Sequence, residues 1–130
     1  MRGVFVTGTD TDCGKTVVSL GLMEAFQQRG LCVQGMKPVA SGCERTGEGL
    51  RNEDARRLRA QSTRDVAYEL VNPYAFEPPI APHIAAGQCG VDIEVTVIRE
   101  RARELAGVSD LLVGEALVGG QPDGQGIWSE

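Results

Sequence analysis

The residues able to do chemistry begin near the N-terminus. Val4-Phe5-Val6-Thr7-Gly8-Thr9-Asp10-Thr11-Asp12-Cys13-Gly14-Lys15-Thr16 runs from an apolar strand into a turn of Gly, Thr and Asp that closes on Gly-Lys-Thr. This is the layout of a phosphate-binding P-loop. Backbone N–H groups of such a loop wrap phosphate oxygens, and the helix that follows adds its positive N-terminal end. Lys15 then reaches the β- and γ-phosphates, and the Thr16 hydroxyl is placed to ligate Mg²⁺. The common spacing is Gly, four residues, Gly-Lys-Ser/Thr. Counted back from Gly14, the first glycine position falls on Thr9, with Gly8 one residue early.

A second candidate comes from lysine usage. Of 13 basic residues only Lys15 and Lys37 are lysines, and both lie at the ends of predicted strands. A compact ammonium on a flexible stem does there what a planar arginine fork would not. Asp54 falls in the first turn of a predicted helix, where the dipole favours a carboxylate, so helix capping is its default explanation. His83, the one histidine, is read as a loop residue with a local hydrogen bond. Cys13 is read as a small space-filling residue within the loop.

These residues need elements to position them. Residues 2–7 read as a central parallel strand buried on both faces. Val18, Leu22, Ala25 and Phe26 mark one face of the next helix, which Gly30 ends. Residues 31–39 read as a second strand leading into Lys37-Pro38-Val39-Ala40-Ser41-Gly42. Residues 41–51 have the composition of a surface loop. Asn52 is placed to N-cap a short helix over 53–61. The proline- and aromatic-rich stretch 71–83 reads as an ordered loop that helps wall a ligand site. A helix over 92–106, with Val95, Ile98, Ala102 and Leu105 on its apolar face, precedes a third strand at 110–113. Strand, helix, strand, helices, strand is an α/β order and predicts a parallel sheet flanked by helices.

Composition narrows the class. A chain of 130 residues builds one core, and a formal net charge of −5 supplies no broad basic face for nucleic acid. No run reaches the length of a membrane helix and no signal peptide precedes the first strand, so the chain is read as cytoplasmic. Four scattered cysteines, with no Cys-x-x-Cys pair, indicate neither a zinc cage nor a disulfide framework.

Four motifs taken together are specific. Gly-Thr-Asp-Thr-Asp-x-Gly-Lys-Thr at 8–16, Lys-Pro-Val-Ala-Ser-Gly at 37–42, Leu-Arg-Asn-x-Asp-Ala at 50–55, and Val-Asn-Pro-Tyr-x-Phe with Pro-His-Ile at 71–84 resemble ATP-dependent dethiobiotin synthetase, in order and in register as far as Glu115. The resemblance implies a P-loop NTPase-type α/β fold and a ligase of biotin biosynthesis. Such an enzyme captures CO₂ on an amine of 7,8-diaminononanoate, phosphorylates the carbamate from ATP and closes the ureido ring. It further implies ATP binding by Asp12, Cys13, Gly14, Lys15, Thr16, Val17 and Asp54, and Mg²⁺ binding by Thr16, Asp54 and Glu115. Substrate contacts fall to Ser41 and Thr11, and catalytic roles to Lys37 and Lys15. A homodimer is expected for the full-length family.

The resemblance stops after Glu115. The family continues with Glu-Gly-Ala-Gly-Gly, whereas this chain reads Glu115-Ala116-Leu117-Val118-Gly119. Deleting one G from GAA GGC GCT GGT GGG yields GAA GCG CTG GTG GG, which encodes the sequence present. The expectation is a synthetase-like portion over 1–115 and an out-of-frame tail over 116–130, with the adenine-recognising half missing and the sheet truncated. Two alternatives remain at this level. One is a P-loop module that binds nucleotide for regulation without ligase chemistry, and the other is an inactive fragment of the ligase.

Overall fold

The computed structural model describes residues 3–8 and 14–117. Its elements run β1 (Gly3–Gly8), α1 (Gly14–Gln28), β2 (Val33–Met36), β3 (Val39–Ala40), β4 (Glu44–Thr46), β5 (Gly49–Arg51), α2 (Glu53–Gln61), α3 (Tyr68–Val71), β6 (Tyr74–Ala75), α4 (Pro82–Cys89), α5 (Val95–Gly107) and β7 (Leu111–Leu117). The main sheet is parallel, in the order β1-β7-β2. The α/β expectation of a parallel sheet flanked by helices is therefore what the chain builds.

Strand alternation sorts the core into two layers. Val33 and Val113 face Met23 of α1, Ala55 and Leu58 of α2, and Tyr68 and Val71 of α3. Met36 and Leu112 face Ile98, Ala102 and Leu105 of α5. The last of the described strands in sequence is thus the middle one of the described sheet. β1 pairs only with β7 among the described strands, and Val4, Phe5 and Val6 are half-buried. That departs from the central, doubly buried strand expected for residues 2–7, because an apolar run does not report how many neighbours a strand has.

The buried face of α1 also differs from expectation. Thr16, Ser19 and Met23 are buried, while Val18 is 52% exposed. The helix is rotated so that two hydroxyl-bearing residues face the sheet, a choice that apolar periodicity alone does not reveal. Lys15 lies in the first turn of this helix, beyond the end of the preceding strand. Helix α5 buries Ile98, Ala102 and Leu105 as read, but Val95 in its first turn is exposed.

The expected second strand splits at Lys37-Pro38 into β2 and β3, and β3 leaves the main sheet to pair with β6. Residues 44–51 form an exposed antiparallel hairpin within the stretch read as loop. The 71–83 stretch holds the end of α3, the short β6 and the start of α4, whose first helical residue is Pro82. Proline is tolerated there because an N1 residue has no intrahelical use for its N–H. His83 lies on the exposed side of α4, not in a loop.

Close approach at Gly35 seats α2 on the sheet. A Cβ there would stand 3.0 Å from Leu58 Cβ and 3.2 Å from Leu58 O, so a side chain at this point would press on the α2 backbone and displace the end of the Met23 side chain, 3.1 Å away. At Gly114 a Cβ would overlap the Phe5 ring, which occupies that space from the neighbouring strand. Glycine inside a strand is ordinarily a weakness. Here Gly114→Ala is expected to lower stability by about 1–3 kcal/mol by overpacking. A Phe5→Leu change in the same chain should return part of that loss, as read from urea unfolding midpoints.

Candidate functional site

Helix α2 begins with a complete cap. The Asn52 side chain accepts from the Ala55 N–H at 2.9 Å, and Glu53 and Asp54 occupy the first turn. Capping therefore falls to Asn52, which leaves the Asp54 carboxylate available for another partner. That partner is Lys37, which follows the last residue of β2. Its Nζ lies 3.8 Å from Asp54 Oδ2 and 3.2 Å from Glu115 Oε1.

Glu115 arrives from the middle strand. It pairs in register with Val6 and shares the alternation of Val113, so it faces the layer that contains α1 and α2. Its side chain is 1% exposed, against 16% for Lys37 and 23% for Asp54. A buried carboxylate is tolerated only with a charged or hydrogen-bonding partner, and the Lys37 ammonium supplies one.

Three buried side-chain oxygens in this layer have no hydrogen-bond partner among the described residues: Thr16 Oγ1 and Ser19 Oγ of α1, and Glu115 Oε2. Thr16 and Glu115 are predicted metal ligands; Ser19 is not. Hydroxyl and carboxylate oxygens are the hard donors that Mg²⁺ takes, so the residues present fit such an ion. Among the described residues no three His, Cys, Asp or Glu side chains cluster as a metal cage by themselves. A site here would need its hydroxyl ligand and bound water.

The other expected site residues fall as follows. Gly14 and Val17 lie in the first turn of α1 with Lys15, and Val17 is 62% exposed. Ser41 is half-buried on the turn after β3. That turn is braced by the proline-rich segment, since Phe76 N–H donates to Ala40 O, Cys43 N–H to Phe76 O and Gly42 N–H to Pro78 O. Thr11, Asp12 and Cys13 lie outside the described residues.

Sequence reasoning missed the polar support of this site. The Tyr68 hydroxyl accepts from Asn52 N–H at 2.7 Å and donates to Asn72 Oδ1 at 2.8 Å, while Asn72 Nδ2 donates to Lys37 O at 2.9 Å. The Arg51 guanidinium stacks 4.2 Å from the centre of the Tyr68 ring. In the sequence Asn72 is one polar residue beside Pro73, and its burial, which gives it this role, follows only from the fold.

Burial pushes the Tyr68 hydroxyl above its ordinary 10.0, against the pull of the Asn52 N–H and nearby arginines, so it remains a hydrogen-bond donor. Burial likewise pushes the Cys43 thiol above its ordinary 9.0, opposed by the Phe76 backbone and Lys37.

Both shifts are upward for groups that are neutral when protonated. Their stabilising contributions are fully present below the unfolded-state values and are lost as pH rises through the folded-state ones. Urea midpoints should therefore fall above about pH 9, and less steeply in Cys43→Ala. Replacing Lys37 by Met strands the Glu115 charge and should cost about 3–5 kcal/mol. Adding Glu115→Gln should recover a substantial part of that loss in the same unfolding measurement.

Comparison with known proteins gives the family. The family described as AAA domain matches residues 2–121. A Pseudomonas aeruginosa (strain UCBPP-PA14) protein named ATP-dependent dethiobiotin synthetase BioD is 49% identical over 120 residues, covering 92% of this chain and 53% of the relative. The protein of that name from Cellvibrio japonicus is 61% identical over 87 residues, covering 67% of this chain and 38% of the relative. The one from Xanthomonas oryzae pv. oryzae (strain PXO99A) is 47% identical over 115 residues, covering 88% and 51%. The chain thus spans about half the length, or less, of these curated relatives. With a family match that takes in Lys15, Thr16, Lys37, Asp54 and Glu115, the chain belongs to the AAA domain family, among relatives named ATP-dependent dethiobiotin synthetase.

Proposed function

We propose that this chain carries the phosphate- and carbamate-facing side of an ATP- and Mg²⁺-dependent dethiobiotin synthetase. The observation that supports it is the Lys37 ammonium held between Asp54 and the buried Glu115, on the layer that also buries Thr16. A nucleotide module without ligase chemistry would use Lys37 only as the counter-ion of Glu115, whereas the ligase reading also gives its ammonium the carbamate to meet.

The proposed chemistry asks for positive charge between two anions. An amine of 7,8-diaminononanoate attacks CO₂, forming a C–N bond and losing a proton to give a carbamate. A carbamate oxygen attacks the γ-phosphorus of ATP, and the bond to the bridging oxygen of ADP breaks. The second amine then attacks the carbamate carbon and gives up a proton, the bond from that carbon to the phosphate oxygen breaks, phosphate leaves, and the ureido ring closes. Lys15 balances charge on the ATP side and Lys37 on the carbamate side. Thr16, Asp54 and Glu115 would hold Mg²⁺, which when bound neutralises phosphate charge. Ser41 and Thr11 would hydrogen-bond the substrate, and Asp12, Cys13, Gly14 and Val17 would line the phosphates. Among the described residues no helix is long and apolar enough to cross a membrane. A cytoplasmic homodimer completes the reading.

We also propose that residues 116–130 are read out of frame. Resequencing the gene across the Glu115 codon tests this, and an alternative frame without Glu-Gly-Ala-Gly-Gly would overturn it. ADP release that depends on 7,8-diaminononanoate, CO₂ and Mg²⁺ tests the ligase reading, measured for this chain and for a frame-corrected gene product. Absence of turnover in both would overturn it. In the active protein at saturating Mg²⁺, Lys37→Ala should reduce turnover on the order of 100-fold or more while ATP affinity changes little. Equal losses of turnover and ATP affinity would contradict the substrate-side role of Lys37.

A further inference from the structure

Asp54 and Lys37 come from different segments, and the distance between them is spanned by a closed chain of hydrogen bonds. From the helix side, the Asn52 N–H, two residues before Asp54, donates to Tyr68 Oη. Tyr68 Oη donates to Asn72 Oδ1. The two Nδ2 protons of Asn72 go to Lys37 O at 2.9 Å and Tyr74 O at 3.1 Å. The Lys37 N–H returns to Val71 O at 2.8 Å, and the Asn72 N–H to Tyr68 O at 2.9 Å. Tyr68 and Asn72 are 4% and 2% exposed.

The tyrosine hydroxyl both accepts and donates, and both amide hydrogens of Asn72 are used. Such a network has one low-energy arrangement, because rotating either side chain strands a buried polar atom. Its two ends are the backbone of Lys37 and the capping residue of the helix that carries Asp54.

We infer that Tyr68 and Asn72 are positioning residues that set the separation of Lys37 from the Asp54 helix. This rests on the reading that Lys37 and Asp54 serve one site. Neither residue touches the reacting groups; they act through the backbone they hold. Tyr68→Phe keeps the ring and its Arg51 stacking but removes both hydroxyl hydrogen bonds, leaving Asn52 N–H and Asn72 Oδ1 without their partner.

The chain has two lysines, which allows a direct test. Competitive acetylation with trace acetic anhydride at fixed pH, in metal-free buffer, gives the Lys37 to Lys15 reactivity ratio by mass spectrometry. In Tyr68→Phe the ratio should rise about threefold or more, well within what the loss of two hydrogen bonds allows. Ile98→Val, in the α5 layer, should leave it unchanged. An unchanged ratio in Tyr68→Phe, or an equal rise in both variants, would overturn the inference.

Amide hydrogen exchange on the unaltered chain gives a second test that needs no variant to fold. The Asn52 and Lys37 amides should open with the same protection, and widely separate protection would count against the inference. Neither test uses ATP or substrate, so their outcome is distinct from that of the ADP-release assay.

Discussion

A carboxylate buried in the middle of a sheet is the constraint around which this structure is arranged. Glu115 sits on the middle strand β7, paired with Val6 of β1 and one residue past the last partner in β2, with 1% of its side chain exposed. Moving such a charge out of water costs several kcal/mol unless a partner compensates. Lys37 is that partner, and it is available because β2 ends at Met36 and the chain turns away into β3. The break in the second strand is thus the step that frees a lysine to reach across to the middle strand.

The remaining elements hold this pair in place. Gly35 lets α2 lie close against β2, and Asn52 caps that helix so that Asp54 stands on the other side of the Lys37 ammonium. Tyr68 and Asn72 then tie the helix start to the lysine backbone. On the far side of the sheet α5 supplies an apolar layer through Ile98, Ala102 and Leu105. The two layers differ in kind: the α5 side buries one polar side chain, Gln34, whose amide is paired with the Arg64 backbone, and the other mixes apolar packing with Thr16, Ser19 and Glu115, all buried. Buried oxygens without partners are unfavourable in a core whose only role is packing, and are expected where a ligand is to be met.

Lysine is suited to this position and arginine is not. An ammonium is a compact charge that can lie between two carboxylates and still turn toward a third anion. A guanidinium would commit its planar fork to one carboxylate. This chain uses arginine elsewhere, including on exposed pairs such as Arg45 with Glu77 and Arg101 with Glu104. Those surface pairs contribute little to stability. The buried pair contributes mainly to specificity of arrangement, since each charge is costly without the other.

Local signals in the sequence were enough to determine the α/β order, the Asn52 cap, the α2 boundaries and the apolar face of α5 beyond its first turn. These follow from short-range rules: strand and helix periodicity, capping chemistry and residue choice. Only the tertiary structure decided that β7 lies between β1 and β2, that α1 buries Thr16 and Ser19 rather than Val18, and that Lys37 bridges Asp54 and Glu115. It also decided the Tyr68 and Asn72 network. The physical reason is common to all of these. Strand order, helix rotation and buried ion pairing depend on contacts between residues tens of positions apart, and a local pattern carries no record of which distant group fills the space beside it.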